Sequence, residues 1–353
     1  MRSTDFGDSW ERVVLPPFGV SELTPENNDY FWQDCLVTSS NPCEPVNIYN
    51  SVRDDNLKGF SVLIDSKNRV WYGSAGGINI SNNALTAPID SIRWRNVGFD
   101  NSNKGLLARW IIEIKEDIST GRVWMTNWKA EGTGSPFEGL DRNGIVFTED
   151  GGYTFKRRLI DRRISAITFK DGYVFAGGDD GLFISSDGGD SWIQSPQIRS
   201  ANTFLKKSTR FNGATTSTNR IWIGTTDGLI STDDFGKTWE ITRVNFPLSG
   251  GNTYSPNAKS VLTYAYPNPY SPNEHEIVRI RYDVTKEGNV KVRIFDFGMN
   301  LVRDIENTYR LEGSYESIWD GVDNLGRKVA NGPYFYIIET KNKTIDGKIL
   351  LIE

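Results

Sequence analysis

One eight-residue pattern recurs along the N-terminal two thirds of the chain and restricts what this chain can fold into. It reads Ser/Thr-x-Asp-x-Gly-x-Ser/Thr-aromatic, and it stands at residues 3–10, 148–155, 185–192 and 232–239. Catalytic constellations usually occur once in a chain, whereas architectural units repeat. The pattern, here named the acidic box, therefore predicts a structural element that is built several times.

A longer repeat contains the acidic box. Residues 68–83, 172–187 and 219–234 align without a gap over sixteen positions. A further copy is broken, because a polar insertion separates residues 121–128 from residues 143–150. Alternating apolar and polar residues predict a half-buried strand in each copy, and a central glycine allows a tight turn into a second short strand.

The residue types of the acidic box suit a turn better than a reaction. An aspartate at the head of a turn accepts hydrogen bonds from backbone N–H groups one to three residues on, and the glycine two residues later can adopt a positive φ. The closing aromatic residue can pack between adjacent sheets. We therefore predict structural roles for these box residues: Ser3, Asp5, Gly7, Trp10, Asp150, Gly152, Phe155, Ser185, Asp187, Gly189, Trp192, Thr232, Asp234, Gly236 and Trp239.

The boxes resemble the Asp-box (BNR) repeats of β-propellers. The half "NRIWIGTTDGL" of the longer repeat also resembles the propeller repeats of two-component-regulator sensor proteins. The resemblance implies four-stranded blades around a central axis, with each box on a hairpin at the outer rim. It says little about activity, because Asp boxes occur in sialidases, other glycoside hydrolases, receptors and assembly factors.

The spacing of the boxes predicts the number of blades. Box aspartates stand at positions 5, 150, 187 and 234, with Asn83 as a degenerate fifth, and a blade needs about 40 residues. We expect four to five blades in residues 1–247. The chain begins directly on a box with one strand behind it, so we expect it to be the C-terminal part of a longer protein whose blades continue upstream or in a partner chain.

The residue composition of the sequence changes after Pro247. Residues 248–262 are rich in Gly, Ser, Asn and Pro, which is typical of a linker. Period-2 alternation is clear in residues 277–284 and 290–296, where each strand has one apolar face and one polar face. About seven short strands in residues 263–353 predict an immunoglobulin-like β-sandwich with one side in water, and hence an all-β chain.

The C-terminal region resembles two related domain types. "YPNPY" opens it, and "WDGVDNLGRKVANGPYFY" matches a pattern shared by the Ig-like domain of flagellar hook-capping proteins and the type A C-terminal sorting domain of type IX secretion. The terminal "GKILLIE" favours the sorting domain. The motif residues are Pro267, Asn268, Pro269, Trp319, Asp320, Gly321, Gly326, Gly332 and Tyr334. The resemblance implies the type IX machinery as a partner and a location in the medium or on the outer cell surface of a Gram-negative bacterium.

Composition excludes several kinds of partner and catalytic site. The net charge is −5 with scattered basic residues, which does not suggest a nucleic-acid partner, and no apolar run is long enough for a spanning helix. The only histidine, His275, lies outside the blades, so a Ser/His/Asp mechanism within them is excluded. The sequence favours a disulfide between Cys35 and Cys43 that closes a polar surface loop, with two free thiols as the alternative. We expect no metal and no cofactor, since two cysteines cannot complete a zinc site.

Three functional hypotheses follow. The first is a secreted, surface-displayed, non-catalytic propeller that binds a protein or glycan or joins an extracellular assembly, and the sequence favours it. The second is a glycan-active hydrolase whose catalytic residues lie partly upstream, and the third is a component of the secretion or surface-attachment machinery. The sequence identifies no catalytic residue. The inserted loop offers one candidate ligand-binding group, although the sequence favours a mobile polar loop without a ligand: Trp128, Glu131, Phe137, Glu138 and Asp141.

Overall fold

The structure, a computed structural model, describes most of the chain. Side chains and backbone are described for residues 1–27, 54–100, 102, 104–130, 139–200, 203–243 and 261–353, and backbone alone for 33–35, 45–47, 248–249 and 259–260. Within these ranges the only helical segments are three short 3₁₀ turns, Pro25–Asn27, Asp55–Leu57 and Ile89–Ser91. None of the described helices is long and apolar enough to cross a membrane. The predicted all-β fold class is confirmed.

Thirty short strands carry the fold in the described ranges. In chain order they are β1 (Glu22–Leu23), β2 (Gln33–Cys35), β3 (Pro45–Asn47), β4 (Gly59–Ile64), β5 (Val70–Ser74), β6 (Gly77–Ser81), β7 (Trp94–Val97), β8 (Trp110–Asp117), β9 (Arg122–Trp128), β10 (Gly144–Thr148), β11 (Lys156–Arg158), β12 (Ile164–Lys170), β13 (Tyr173–Gly178), β14 (Gly181–Ser185), β15 (Ile193–Gln194), β16 (Arg199–Ser200), β17 (Thr203–Phe204), β18 (Phe211–Thr216), β19 (Ile221–Thr225), β20 (Gly228–Thr232), β21 (Glu240–Thr242), β22 (Leu248–Ser249), β23 (Lys259–Ser260), β24 (Thr263–Tyr266), β25 (Val278–Val284), β26 (Gly288–Phe295), β27 (Leu301–Arg310), β28 (Gly313–Trp319), β29 (Gly332–Glu339) and β30 (Thr344–Leu351).

Four sheets have the form of propeller blades. Their strand orders are β1-β7-β6-β5-β4, β11-β10-β9-β8, β12-β13-β14-β15 and β18-β19-β20-β21, named blades 1 to 4. Each gap-free copy of the sixteen-residue repeat forms the middle hairpin of its blade, and blade 1 gains a fifth strand, β1, on its outer edge. The partial propeller predicted from the repeats is confirmed, with four blades among the described residues. The N-terminal box forms only an isolated bridge, between Arg2 and Glu11.

The central glycine of the repeat is required by the turn between the middle strands. Gly77 has φ +118°, a conformation that L side chains rarely adopt. A Cβ atom there would lie 2.4 Å from the carbonyl oxygen of Val97 on the outer strand. The turn therefore depends on glycine for both its backbone angle and the close approach of the neighbouring strand.

The chain divides into two compact units. The first comprises residues 1–196, 210–226 and 231–237, and the second comprises residues 197–209, 227–230 and 238–353. Most of residues 244–258 lie outside the described part of the chain. The predicted boundaries at 247 and 262, and the linker between them, stay predictions.

Blades in the first unit pack face to face along their inner strands. Strand β4 lies beside β8, β8 beside β12, and β12 beside β18. Buried apolar side chains fill the space between successive blades. The core between blades 1 and 2 contains Trp71, Ile78, Ile111, Met125 and Phe155, and the core between blades 2 and 3 contains Trp124, Ile145, Phe147, Ile167, Val174 and Phe183.

The second unit contains a β-sandwich of seven strands. One sheet has the order β24-β25-β28 and the other β27-β26-β29-β30. In β26 the residues alternate between buried and exposed or half-buried, as expected when one face meets the core. The core that the two sheets enclose includes Tyr282, Val292, Trp319, Tyr336 and Ile349. The predicted immunoglobulin-like sandwich is confirmed.

Candidate functional site

The box at residues 185–192 uses its carboxylate to close a turn. Asp187 accepts hydrogen bonds from the N–H groups of Asp190 at 3.1 Å and Ser191 at 2.9 Å. The hydroxyls of Ser185 and Ser191 also donate to it, at 2.7 Å and 2.6 Å. The N–H donors lie three and four residues on, slightly farther than the predicted one to three. Both carboxylate oxygens are thus engaged inside the turn.

Two other box carboxylates are bound in the same manner. Asp5 accepts from the Ser9 N–H at 2.9 Å and from the Ser3 hydroxyl at 2.8 Å. Asp150 accepts from the Thr154 N–H at 3.0 Å and from the Thr154 hydroxyl at 2.6 Å. Three turns of one design therefore recur in chain positions that are far apart.

These hydrogen bonds favour the ionised carboxylates. The Ser9 hydroxyl and N–H lower the pKa of Asp5 to about 2. Burial tends to raise the pKa of Asp150, but hydrogen bonds from Thr154 outweigh it and leave that pKa at about 2. Hydrogen bonds from Ser191 hold the pKa of Asp187 well below its usual range. Carboxylates of this kind are poor general acids, because they stay ionised at neutral pH.

The fourth box repeats the contacts at the head of the turn, whereas the degenerate box differs. Asp234 accepts from the Thr232 hydroxyl at 2.8 Å, and that hydroxyl accepts from the Gly236 N–H at 2.9 Å. Asn83 instead accepts from the Arg93 N–H at 2.9 Å and donates to the Ser91 carbonyl at 2.9 Å. Its amide therefore closes a longer loop than a box aspartate does.

Two boxes pack their glycines on a tryptophan of the preceding blade. A Cβ atom on Gly152 would lie 3.2 Å from the Trp71 ring, and one on Gly189 would lie 2.3 Å from the Trp124 ring. Both glycines have positive φ, +85° and +95°. The Trp71 and Trp124 side chains are fully buried. Glycine at this box position therefore lets the turn lie directly on the neighbouring blade.

The closing aromatic residues do not all act as plugs between sheets. Phe155 is buried in the core between blades 1 and 2, and Trp192 packs edge-on against Trp124 at 6.4 Å. Trp239 is half-buried. Trp10, in contrast, is 58% exposed, and its indole N–H donates within its own turn, to Gly7. At Trp10 the expected packing between sheets is absent, because the described N-terminal residues form no blade sheet around it.

Arginines of the blades also hold the boxes. Arg95 of blade 1 donates to the carbonyl oxygens of Gly152 at 2.9 Å and Gly151 at 2.6 Å. In blade 2, Arg122 donates to the Gly188 carbonyl at 2.9 Å and Arg158 to the Gly189 carbonyl at 2.5 Å.

A cavity of about 400 Å³ opens at the rim of blade 1, beside the box of blade 2. It is large enough for a small ligand. Its lining is polar and aromatic, and includes Glu22, Arg69, Asn82, Arg93, Arg95 and Tyr153. None of these residues was singled out from the sequence, since they come from five separate places in the chain that only folding brings together.

The predicted ligand group in the inserted loop is described only in part. Glu131, Phe137 and Glu138 lie outside the described residues. The Trp128 indole N–H donates to the Ile164 carbonyl at 2.6 Å, and the Arg163 guanidinium lies 4.1 Å from its ring centre. Asp141 is buried and accepts from the Ala130 N–H at 3.0 Å. These two side chains are engaged in local contacts, and the group as a ligand site stays a prediction.

The cysteine pair also lies beyond what the structure describes. Cys35 is described by its backbone alone, at the end of β2, and Cys43 is not described. The disulfide therefore stays a prediction. In the described residues, no three His, Cys, Asp or Glu side chains cluster in a way that could hold a metal ion.

The C-terminal motif builds the sandwich. Trp319 is buried, donates its indole N–H to the Val322 carbonyl at 2.9 Å and packs edge-on against Tyr334 at 5.1 Å. Gly321 and Gly326, in the loop that follows, have φ of +76° and +77°, and Gly332, at the start of β29, has φ +150°.

Of the remaining motif residues, Asn268 bonds to the backbone of β30, whereas Asp320 lies at the surface. The Asn268 side chain, between Pro267 and Pro269, donates to the Lys348 carbonyl and accepts from the Leu350 N–H, both at 2.9 Å. Asp320 is exposed.

A buried charge cluster in the second unit was missed by sequence reasoning. Asp227 lies 3.2 Å from both Arg243 and Arg279, and Glu316 lies 3.5 Å and 3.8 Å from the same two guanidinium groups. Burial alone would raise the pKa of Asp227, but the two arginines outweigh it and lower that pKa. Burial, together with a hydrogen bond to Glu316, raises the pKa of the Tyr266 phenol.

This cluster corrects one expectation about the sandwich. Strand β25 was predicted to have a polar face in water, yet Arg279 on that face is only 1% exposed. The reason is that other segments of the second unit cover the strand there. The Arg279 guanidinium donates to the Phe204 carbonyl at 2.6 Å. A covering segment this far away in the chain leaves no signal in the strand itself.

Comparison with protein families gives one match. The FlgD Ig-like domain profile matches residues 274–344, within the second unit. The predicted likeness of this region to hook-capping Ig-like domains is confirmed at that level. No curated protein matches the chain.

Solved structures resemble larger parts of the chain at low identity. PorZ of Porphyromonas gingivalis, described as an essential bacterial surface component of the type-IX secretion system, is 14% identical with a TM-score of 0.38, over 92% of this chain and 47% of that one. An extracellular domain assigned to a hybrid two component system of B. thetaiotaomicron is 14% identical, with a TM-score of 0.39, over 84% and 44%. An ancestral GH74 enzyme is 13% identical, with a TM-score of 0.40, over 82% and 38%. The chain spans less than half the length of these structures.

Proposed function

We propose that this chain is a non-catalytic β-propeller that binds or assembles at the outer surface of a Gram-negative bacterium, with its C-terminal domain as the type IX export signal. One combination carries the proposal: blades whose box carboxylates are engaged in turns stand in the same chain as an FlgD Ig-like domain. The type IX assignment comes from the motif between Trp319 and Tyr334.

The use of the box acids supports a role other than hydrolysis. Glycoside hydrolysis needs two carboxyl groups about 5–9.5 Å apart that can reach the substrate. The carboxylate oxygens of the box aspartates instead accept hydrogen bonds from N–H and hydroxyl groups of their own turns, as seen at Asp5, Asp150 and Asp187. Rigid blades with variable loops suit recognition, because loops can change while the scaffold stays the same.

The position of the motif residues supports export by recognition of a folded surface. Trp319 and Tyr334 are buried in the sandwich, so a receptor cannot read their side chains directly. Asp320 is exposed between them. The motif would then ensure that the domain folds, and the secretion machinery would bind the surface that results.

Export is tested by localisation in a bacterium with a type IX machinery. The full chain, given the host's Sec leader, is expected to become sensitive to external protease, and a chain that ends at residue 262 is expected to stay in the periplasm. A host without the machinery should retain both. W319A should be retained because its domain fails to fold, while D320N should be exported normally. Surface exposure of the truncated chain at the level of the full chain would contradict the proposal.

A further inference from the structure

Two neighbouring blade junctions are built from the same parts. At the junction of blades 2 and 3, Arg122 and Arg158 hold the carbonyl oxygens of Gly188 and Gly189. At the junction of blades 1 and 2, Arg95 holds the equivalent Gly151 and Gly152, and Arg69 occupies the repeat position of Arg122. The pair of junctions therefore forms an internal comparison in which only a few side chains differ.

The junction of blades 2 and 3 supplies its own carboxylates. Glu149 lies 2.8 Å from Arg122 and 2.7 Å from Lys156. Asp190 lies 2.8 Å from Arg158. Each rim cation of this junction thus has an acidic partner from the protein itself.

The junction of blades 1 and 2 lacks both of those acids. The sixteen-residue repeat places Asn82 where blade 2 has Glu149, and the box places Tyr153 where the next box has Asp190. Arg95 donates to two carbonyl oxygens, and no carboxylate of the described residues lies within 4.0 Å of its guanidinium. Arg69 is paired through Nε with the buried Asp65, at 2.6 Å.

The cavity of about 400 Å³ lies at this second junction. Arg69 and Arg95 both line it, and the repeat positions of the missing acids, Asn82 and Tyr153, line it as well. A guanidinium has five N–H donors in a fixed fork, so each arginine retains donors beyond those used on the protein. The cavity is therefore lined by the repeat positions at which the other junction carries its carboxylates.

We infer that this rim cavity binds an acidic sugar, whose carboxylate or sulfate takes the place of the two missing carboxylates. Arginine forks match planar or tetrahedral oxyanions with charge-assisted hydrogen bonds. The inference rests on the proposed function only for the source of the ligand, because a surface protein would meet acidic sugars outside the cell. The binding itself is a property of the folded chain.

The rest of the lining favours a sugar over a small inorganic anion. Tyr153 is 74% exposed, and the Arg95 guanidinium lies 4.2 Å from the centre of its ring. The aromatic ring can therefore stack on a pyranose while the guanidinium holds the acid group. Glu22 and Asn82 line the same cavity and can bond with sugar hydroxyls. A carboxylate at Glu22 would repel a second acid group, so one charged group per sugar unit fits best.

Calorimetric titration of the purified full chain tests the inference. The probes are tri-galacturonate, whose acid groups are all carboxylates, a κ-carrageenan disaccharide, whose only acid group is a sulfate, neutral maltotriose and a tri-glutamate peptide. One acidic sugar should bind with a stoichiometry of one and more weakly as salt is raised, and the better of the two identifies carboxylate or sulfate as the ligand group. Maltotriose or tri-glutamate binding as tightly as the better acidic sugar would overturn the inference, as would the absence of saturable binding.

A variant that restores the missing acids gives the sharper test. N82E with Y153D places in this junction the carboxylates that the next junction has, and should weaken binding by about tenfold or more while the melting temperature is kept. S186E with K237D puts the same acids at the same repeat positions of the next junction and should leave affinity unchanged. Unchanged affinity in N82E/Y153D would sink the inference. Binding by purified protein that is not exported would separate this result from a failure of the proposed function.

Discussion

The two units use their charged side chains in opposite ways. In the first unit, box carboxylates lie at the blade rims and bind donors three or four residues away, as Asp187 does with Ser191. In the second unit, Asp227 and Glu316 are buried with two arginines that come from distant positions. The first arrangement can be repeated wherever an eight-residue sequence occurs, whereas the second exists only once the whole unit has folded.

The difference has an energetic consequence. A turn of hydrogen bonds at the surface contributes modestly, because water competes for the same groups. A buried ion cluster contributes little net stability as a whole, yet loss of one member leaves the others buried without compensation. Loss of a single hydrogen bond in a box should therefore cost much less than loss of one member of the cluster.

Removal of Arg279 should give the largest effect. R279A leaves Asp227 and Glu316 with one guanidinium instead of two, and should destabilise the second unit by about 3–5 kcal/mol. R281A is the matched control two residues along the same strand, where the side chain is 30% exposed and pairs with Asp283, and it should cost about 0–1 kcal/mol. Hydrogen exchange of peptides spanning residues 278–319 in the full chain measures both. Equal exchange in the two variants would remove the contrast between the units.

A change at a box glycine should have an intermediate effect. G189A forces a Cβ atom to within 2.3 Å of the Trp124 ring and disfavours φ +95°, so it should destabilise the first unit by about 2–4 kcal/mol. G172A is the control, because its φ is +82° but nothing lies within 4 Å of the added atom. The control should cost about 1–2 kcal/mol. Calorimetric melting of both variants measures the part of the destabilisation that comes from the contact with Trp124. Equal destabilisation of G189A and G172A would mean that the neighbouring blade moves to accommodate the added methyl group.

The smallest effect should appear in the acid titration of a box. The pKa of Asp150 is about 2 in the folded protein against 3.8 ordinarily, so its contribution is present above pH 4 and is lost as the pH falls towards 2. D150N should cost about 0.5–1 kcal/mol at pH 7, a value reduced for solvent exposure. The gap in melting temperature between D150N and the original chain should narrow progressively as the pH falls from 4 towards 2. A gap that stays constant from pH 7 to pH 2 would show that the charge of Asp150 is irrelevant.

Sequence periodicity predicted the structure correctly wherever the residues that interact are close together in the chain. The sixteen-residue repeat predicted the middle hairpins of the blades, since β13, its turn and β14 lie within a single copy. Alternation in residues 290–296 predicted a strand with a core face, which β26 shows. Local patterns succeed here because a hairpin and a pleated strand are decided by neighbours a few residues apart.

The candidate site was only partly visible in the sequence. An alignment of the repeats shows Asn82 opposite Glu149, and so a missing acid. It does not show that Arg95, on another strand, reaches the carbonyl oxygens of the next blade's box. The cavity depends on that contact and on the separation of two sheets, neither of which the repeat records.

The sequence by itself therefore determined the all-β class, the repeated hairpins and the C-terminal sandwich, because strand alternation and turn residues act over short distances. The tertiary structure alone decided which charges meet. Arg279 finds Asp227, and Arg95 finds Gly152, across separations of dozens of residues. Electrostatic and hydrogen-bonded partners at such distances are selected by the packing of whole sheets, and this packing is a property of the folded chain that no single segment contains.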